Sequence, residues 1–130
     1  MRDEIKLILL GCLANRNEKE NERLNKLLVS SEDWAFIIGE LIRHRINGNF
    51  YRSLLPEQKK YIIGNVSQTF EILCRCYEEH NKKNLEFFQR LIEKTDEAGI
   101  NVAGLKGVVF NVTLYKLGVR RSNDIDILVE

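Results

Sequence analysis

From Pro56 to about Ala98 the chain keeps one helical period, and after Gly99 the period changes. Ile62, Val66, Thr69 or Phe70, Leu73, Cys76 or Tyr77, and then Leu85, Phe88, Leu91 and Ile92 recur at the spacing of a helix with one buried stripe. Pro56, the single proline, suits a first helical position, where no N–H is needed. Gly64 inside this run weakens its early part by about 1 kcal/mol relative to Ala. The charged patch Glu78 to Lys83 is read either as a bend or as an exposed stretch of one long helix. Gly99 ends the pattern, and Ile100 to Leu105 reads as a strand. A chain built on such a run has to be mostly helical, with strand structure confined to its end.

Ahead of it, Asp3 to about Asn15 and Asn17 to Val29 read as short amphipathic helices. Ser30-Ser31-Glu32-Asp33 carries an N-terminal signal, because a Ser oxygen can accept from a free N–H of the first turn. The helix that follows holds Trp34, Ile37, Ile38, Leu41 and Ile42 and is expected to stop near Asn47-Gly48. Asn49 to Leu55 reads as a connection. Trp34, Phe70, Phe87 and Phe88 are expected in the core or at helix contacts.

Composition narrows the function classes. Twenty Lys and Arg against 19 Asp and Glu leave a net charge of +1, so nothing global points to nucleic acid or a membrane surface. No stretch approaches the roughly 20 apolar residues of a membrane span, and the start lacks the features of a signal peptide. Three cysteines, an odd number, favour reduced thiols in a cytoplasmic protein over disulfides. Cys74, Cys76 and His80 do not make a closed zinc site, because on a helix Cys74 faces away from the other two. His44 has no neighbouring Cys or His cluster and reads as a surface or packing residue.

The chemistry-bearing stretch is Leu105 to Glu130, LKGVVFNVTLYKLGVRRSNDIDILVE. An apolar helix over Val108–Leu117 is expected after Lys106-Gly107, stopping at Gly118. A basic turn, Arg120-Arg121-Ser122-Asn123, leads into a strand carrying Asp124-Ile125-Asp126-Ile127-Leu128-Val129. Residues two apart in a strand face the same way, so Asp124 and Asp126 are expected on one face and Ile125, Ile127 and Val129 on the other. Two carboxylates on one face repel each other unless a cation offsets them. The plain alternative is an ordinary amphipathic strand with solvated acids. At the helix start, exposed N–H groups suit phosphate, and the alternative is a simple strand-to-helix turn.

Leu105-Lys106-Gly107, Tyr115, Arg120 four residues before Asp124, and Asp124-Ile-Asp126-Ile-Leu-Val129 together resemble the uncharacterised bacterial nucleotidyltransferases, a branch of the nucleotidyltransferase superfamily. Asp33-Trp34 and His44-Arg45 look like the helical front portion of the same family. The resemblance implies an α+β fold, predominantly helical: a helical region over 1–98, then the first part of a palm, β-α-β, over 99–130. It further implies metal-dependent transfer of a nucleoside monophosphate from an NTP to an unknown acceptor. Asp124 and Asp126 would be catalytic carboxylates holding Mg²⁺ or Mn²⁺, and Lys106, Gly107 and Arg120 would bind the nucleotide. Tyr115 packs within the helix. Palm enzymes take a third carboxylate from a later strand, which this sequence does not reach before Glu130, so the palm is expected to be incomplete in this chain. Two classes stay open: a nucleotidyltransferase, or a non-catalytic helical interaction module with a vestigial palm. The apolar row of the last strand, with no further sheet to cover it, implies self-association or a partner chain.

Overall fold

The computed structural model describes residues 1–130 and is mostly helical, with seven helices and one two-stranded sheet. Two compact units divide between Cys74 and Arg75. The change of element type does stand at Gly99. The second half of the long helix, however, groups with the strands rather than with the N-terminal helices.

In the first unit, α1 (Asp3–Gly11) packs on α2 (Glu18–Ser30), α3 (Trp34–Arg43) and α4 (Asn47–Ser53). Leu7, Leu24, Leu28, Ile37 and Leu41 are fully buried there with Phe50 and Phe70. Asn17 and Glu20 close a reciprocal capping box at the start of α2, which fixes where that helix begins. The Arg16 guanidinium spends its donors on main-chain oxygens, reaching Leu13 O at 2.7 Å, Gly11 O at 3.2 Å and Ser53 O at 2.5 Å. It thereby satisfies carbonyls that the end of α1 leaves open. Pro56 is the first residue of α5 (Pro56–Lys59), as its missing N–H suggests. Buried Gln58 accepts from Leu55 N at 3.0 Å and donates to Asn25 Oδ1 at 2.9 Å.

Several local expectations fail for identifiable reasons. Asp33, not Ser30 or Ser31, caps α3 by accepting from Phe36 N at 3.0 Å; Ser31 instead donates backward to Leu27 O at 2.6 Å. Helix α3 stops at Arg43, before Asn47-Gly48, because Arg45 itself takes the left-handed conformation (φ 57°). Ile46 N then bonds Leu41 O at 2.9 Å and closes the turn. Asn47 and Gly48 are thus free to open a further helix, α4, in the stretch read as a connection. Burial of Phe50 and Tyr51 drives that extra turn. Tyr51 stacks on Phe70 with ring centroids 5.1 Å apart, and its hydroxyl donates to Glu71 Oε1 at 2.6 Å.

Helix α6 (Gly64–Glu97, 34 residues) runs unbroken through Glu78–Lys83, so that patch is exposed helix and not a bend. Gly64 opens the helix rather than weakening its interior. Gly99 at φ 70° ends it: Gly99 N bonds Asp96 O at 3.0 Å and Ile100 N bonds Thr95 O at 2.8 Å, a Schellman closure. In the second unit, β1 (Val102–Leu105) pairs antiparallel with β2 (Asp126–Val129), Val102 opposite Val129 and Leu105 opposite Asp126. Between them lies α7 (Gly107–Thr113), shorter than the predicted Val108–Leu117, which leaves Tyr115 beyond the helix. Gly104 lets Phe88 lie against the sheet; a Cβ there would sit 2.7 Å from Phe88 Cζ. Phe87, expected in the core or at a helix contact, is 55 % exposed. No helix is long and apolar enough to cross a membrane.

Candidate functional site

The β1–β2 register decides which predicted residues meet. Leu105 lies opposite Asp126, so the next residue, Lys106, arrives beside that carboxylate, and Lys106 Nζ stands 3.5 Å from Asp126 Oδ2. Both side chains are partly open to solvent, and such pairs contribute at most about 1 kcal/mol. Lys106 has φ 49° and ψ −118°, a conformation that a side chain with a Cβ pays roughly 1–3 kcal/mol to hold. Holding a lysine there, at the turn between β1 and α7, keeps its ammonium at the acidic strand.

Asp124 does not share the strand. β2 begins at Asp126, so the two-residue alternation does not govern Asp124, which is exposed in the segment leading into the sheet. Arg120 is not paired with Asp124 either; its guanidinium lies over the Phe110 ring, 5.6 Å from the centroid. That contact ties the basic turn to α7 and leaves the charged group exposed. Gly107 is the first residue of α7, and a Cβ added to it would overlap Ser122 Oγ. The glycine is therefore required for close approach of the 120–124 segment to the helix start.

Ser122 is the residue that the sequence did not single out. It is 7 % exposed, and its N–H, carbonyl and hydroxyl are all bonded. Its N–H donates to Asn81 Oδ1 at 3.1 Å, and its hydroxyl donates to Asp124 O at 3.2 Å. Its carbonyl receives Asn84 Nδ2 at 2.8 Å and lies 2.9 Å from His80 Nε2. Asn81 Nδ2 also donates to Arg120 O at 2.7 Å. A signal for this was present in the periodicity. Residues 74, 77, 81, 84 and 88 follow the helical stripe, and two of these apolar-stripe positions hold Asn. A polar residue on a stripe has to find a partner once buried.

The arrangement brings a cation, Lys106, to one acidic side chain and holds a second acid nearby along the chain. No group of three or more His, Cys, Asp or Glu side chains is close enough to hold a metal ion. Cys12, Cys74 and Cys76 are all free thiols. The model of the uncharacterised nucleotidyltransferase family matches residues 30–130. The chain belongs to that family. No curated protein and no solved structure matches it. For a nucleotidyltransferase-family chain, the match covers α3 to β2 and includes both the helical portion and the Lys106–Asp126 pair.

Proposed function

We propose that the second unit is the nucleotide- and metal-binding part of a nucleotidyltransferase that moves a nucleoside monophosphate from an NTP to an acceptor. The observation that carries this is the meeting of Lys106 with Asp126 across the β1–β2 register, inside a family whose description names that activity. Lys106 is a compact cation on a flexible stem, suited to a phosphate oxygen. Helix α7 has only seven residues, so phosphate affinity rests on Lys106 and Arg120 more than on a helix dipole.

The donor set suits one kind of ion. Asp124 and Asp126 are carboxylates open to water, without a third protein ligand. Mg²⁺ or Mn²⁺ held by such a pair keeps several waters and completes its shell with substrate phosphates. When bound, the ion supplies positive charge for the triphosphate and the leaving pyrophosphate. The chain's own residues do the rest: Asp124 and Asp126 would hold the ion, Lys106 and Arg120 would orient the phosphates, and Gly107, at the nucleotide side of the turn, seats Ser122 against the start of α7. Two carboxylates tether one ion; fixing a second and aligning the acceptor takes a further ligand. Binding of ion and nucleotide is what this pair of carboxylates supports. Calorimetric titration of Mn²⁺, with and without NTP, tests the site. Binding is expected for the native chain and not for Asp124→Asn/Asp126→Asn, and equal heats from both would refute it. Labelled NTP with candidate acceptors tests transfer.

A second reading, a non-catalytic interaction module, is favoured by β2 itself. Leu128 and Val129 are 57 % and 54 % exposed, and the sheet has two bare edges. On that reading a second copy of the chain, or a partner strand, covers the sheet. Light scattering across a concentration series distinguishes a growing assembly from a strict monomer. The free thiols fit a reducing compartment such as the cytoplasm.

A further inference from the structure

We infer that His80, Asn81 and Asn84 of α6 are positioning residues for the acidic segment: they grip Arg120 and Ser122 and so fix the backbone that leads into Asp124 and Asp126. The functional half of this inference rests on the reading of those aspartates as ion ligands. Asn81 is fully buried, and its amide meets the backbone as another strand would, accepting from Ser122 N and donating to Arg120 O. Both ends of one side chain are thus used on residues two apart, which sets the path of the turn as well as its location.

The carbonyl of Ser122 is held from two more sides. Asn84 Nδ2 and His80 Nε2 both point at it, and a carbonyl has two lone pairs to receive them. His80 then carries its proton on Nε2. Its 3.3 Å approach to Asn84 Nδ2 is accordingly two donors converging on one acceptor, not a bond between them. From Ser122 the constraint passes onward in two directions. The hydroxyl bonds Asp124 O, and the Ser122 side chain presses on Gly107 at the start of α7. The segment 120–125 has no helix or strand of its own, and besides these bonds it is tied to α7 by Arg120 over the Phe110 ring.

The test uses the whole chain and two measurements. Asn81→Leu keeps the side-chain shape and the apolar stripe while removing both bonds. It is expected to speed hydrogen exchange at the Ser122 amide by about tenfold or more, the effect of losing two hydrogen bonds. Amides of α6 stay protected, and Mn²⁺ affinity falls by a similar factor. The milder pair His80→Leu and His80→Gln keeps the question open should Asn81→Leu not fold. Gln restores a donor where His80 Nε2 stands, so His80→Gln should retain the Mn²⁺ affinity that His80→Leu loses. A Ser122 amide that exchanges freely in the native chain overturns the inference. So does a loosened Ser122 with unchanged Mn²⁺ affinity, since a merely structural grip would give that result. A native chain that binds no Mn²⁺, equal to Asp124→Asn/Asp126→Asn, removes the ion reading and with it the functional half. Exchange at Ser122 then decides the grip alone.

Discussion

An alanine at Gly107 sets two physical effects against each other. In a helix Ala is the better residue by about 1 kcal/mol, and Gly107 does not use a positive φ, so propensity alone predicts a stabilised chain. Packing predicts the reverse. The new Cβ would overlap Ser122 Oγ and lie 3.1 Å from Ser122 Cβ, and Ser122 is held by Asn81, Asn84 and His80. Overpacking at a held contact costs about 1–3 kcal/mol. The larger effect wins, leaving a net loss of up to about 2 kcal/mol. In a chain of this size each kcal/mol moves the melting temperature by roughly 4 °C. Ser122→Gly removes both crowded atoms, because only Ser122 Cα, at an ordinary 4.0 Å, would still touch the methyl. The Gly107→Ala/Ser122→Gly chain should therefore be about 1 kcal/mol more stable than Ser122→Gly alone, the helix gain with the crowding removed, a departure from additivity that reports the contact. Thermal melts by circular dichroism on the four proteins measure it. Gly107→Ala as stable as the native chain, or strictly additive losses, would refute the seating of Ser122 on α7.

Lys106→Gly should raise stability by about 1 kcal/mol or more by releasing the strained backbone, while weakening NTP binding measured by calorimetry. Cys12, whose thiol burial pushes up to about 11, and fully buried Cys74 should resist alkylation near neutral pH. Exposed Cys76 should react first, as peptide mass mapping over time would record. Asp33 sits below the usual carboxylate range because it accepts from Phe36 N–H and pairs with Arg2. The unfolded chain binds the extra proton first as pH falls, so this stabilisation is complete above about pH 4 and is lost as pH drops through the depressed folded value. Asp33→Asn should flatten the acid limb of a melting-temperature profile.

The parts of the fold legible in the sequence are those written by local pattern. Pro56 and Gly99 punctuate helices because each acts on its own backbone, and the 3.6-residue stripe of α6 is visible without its partners. The stop of α3 was misread because Arg45, a residue with no special claim on a positive φ, takes the position that a glycine would be expected to fill. Asp124 was assigned to a strand because alternation continues through it; pairing to β1 begins only at Asp126. In the second unit, adjacency of Lys106 and Asp126 follows from a strand, a short helix and a strand in sequence, so its ingredients were readable. The grip of Asn81 on Arg120 and Ser122 was not. It spans 39 and 41 residues, and no short-range periodicity records which loop a buried amide will meet.

That span also orders the making of the molecule. A helix such as α6 forms on the microsecond scale from contacts a few residues apart. Closing a loop of some forty residues costs chain entropy that short contacts do not. The three polar side chains of α6 are arranged by contacts within one helix, while Arg120 and Ser122 reach them only by closing that loop. The geometry of the acidic segment is thus inherited from a helix that does not depend on it to form.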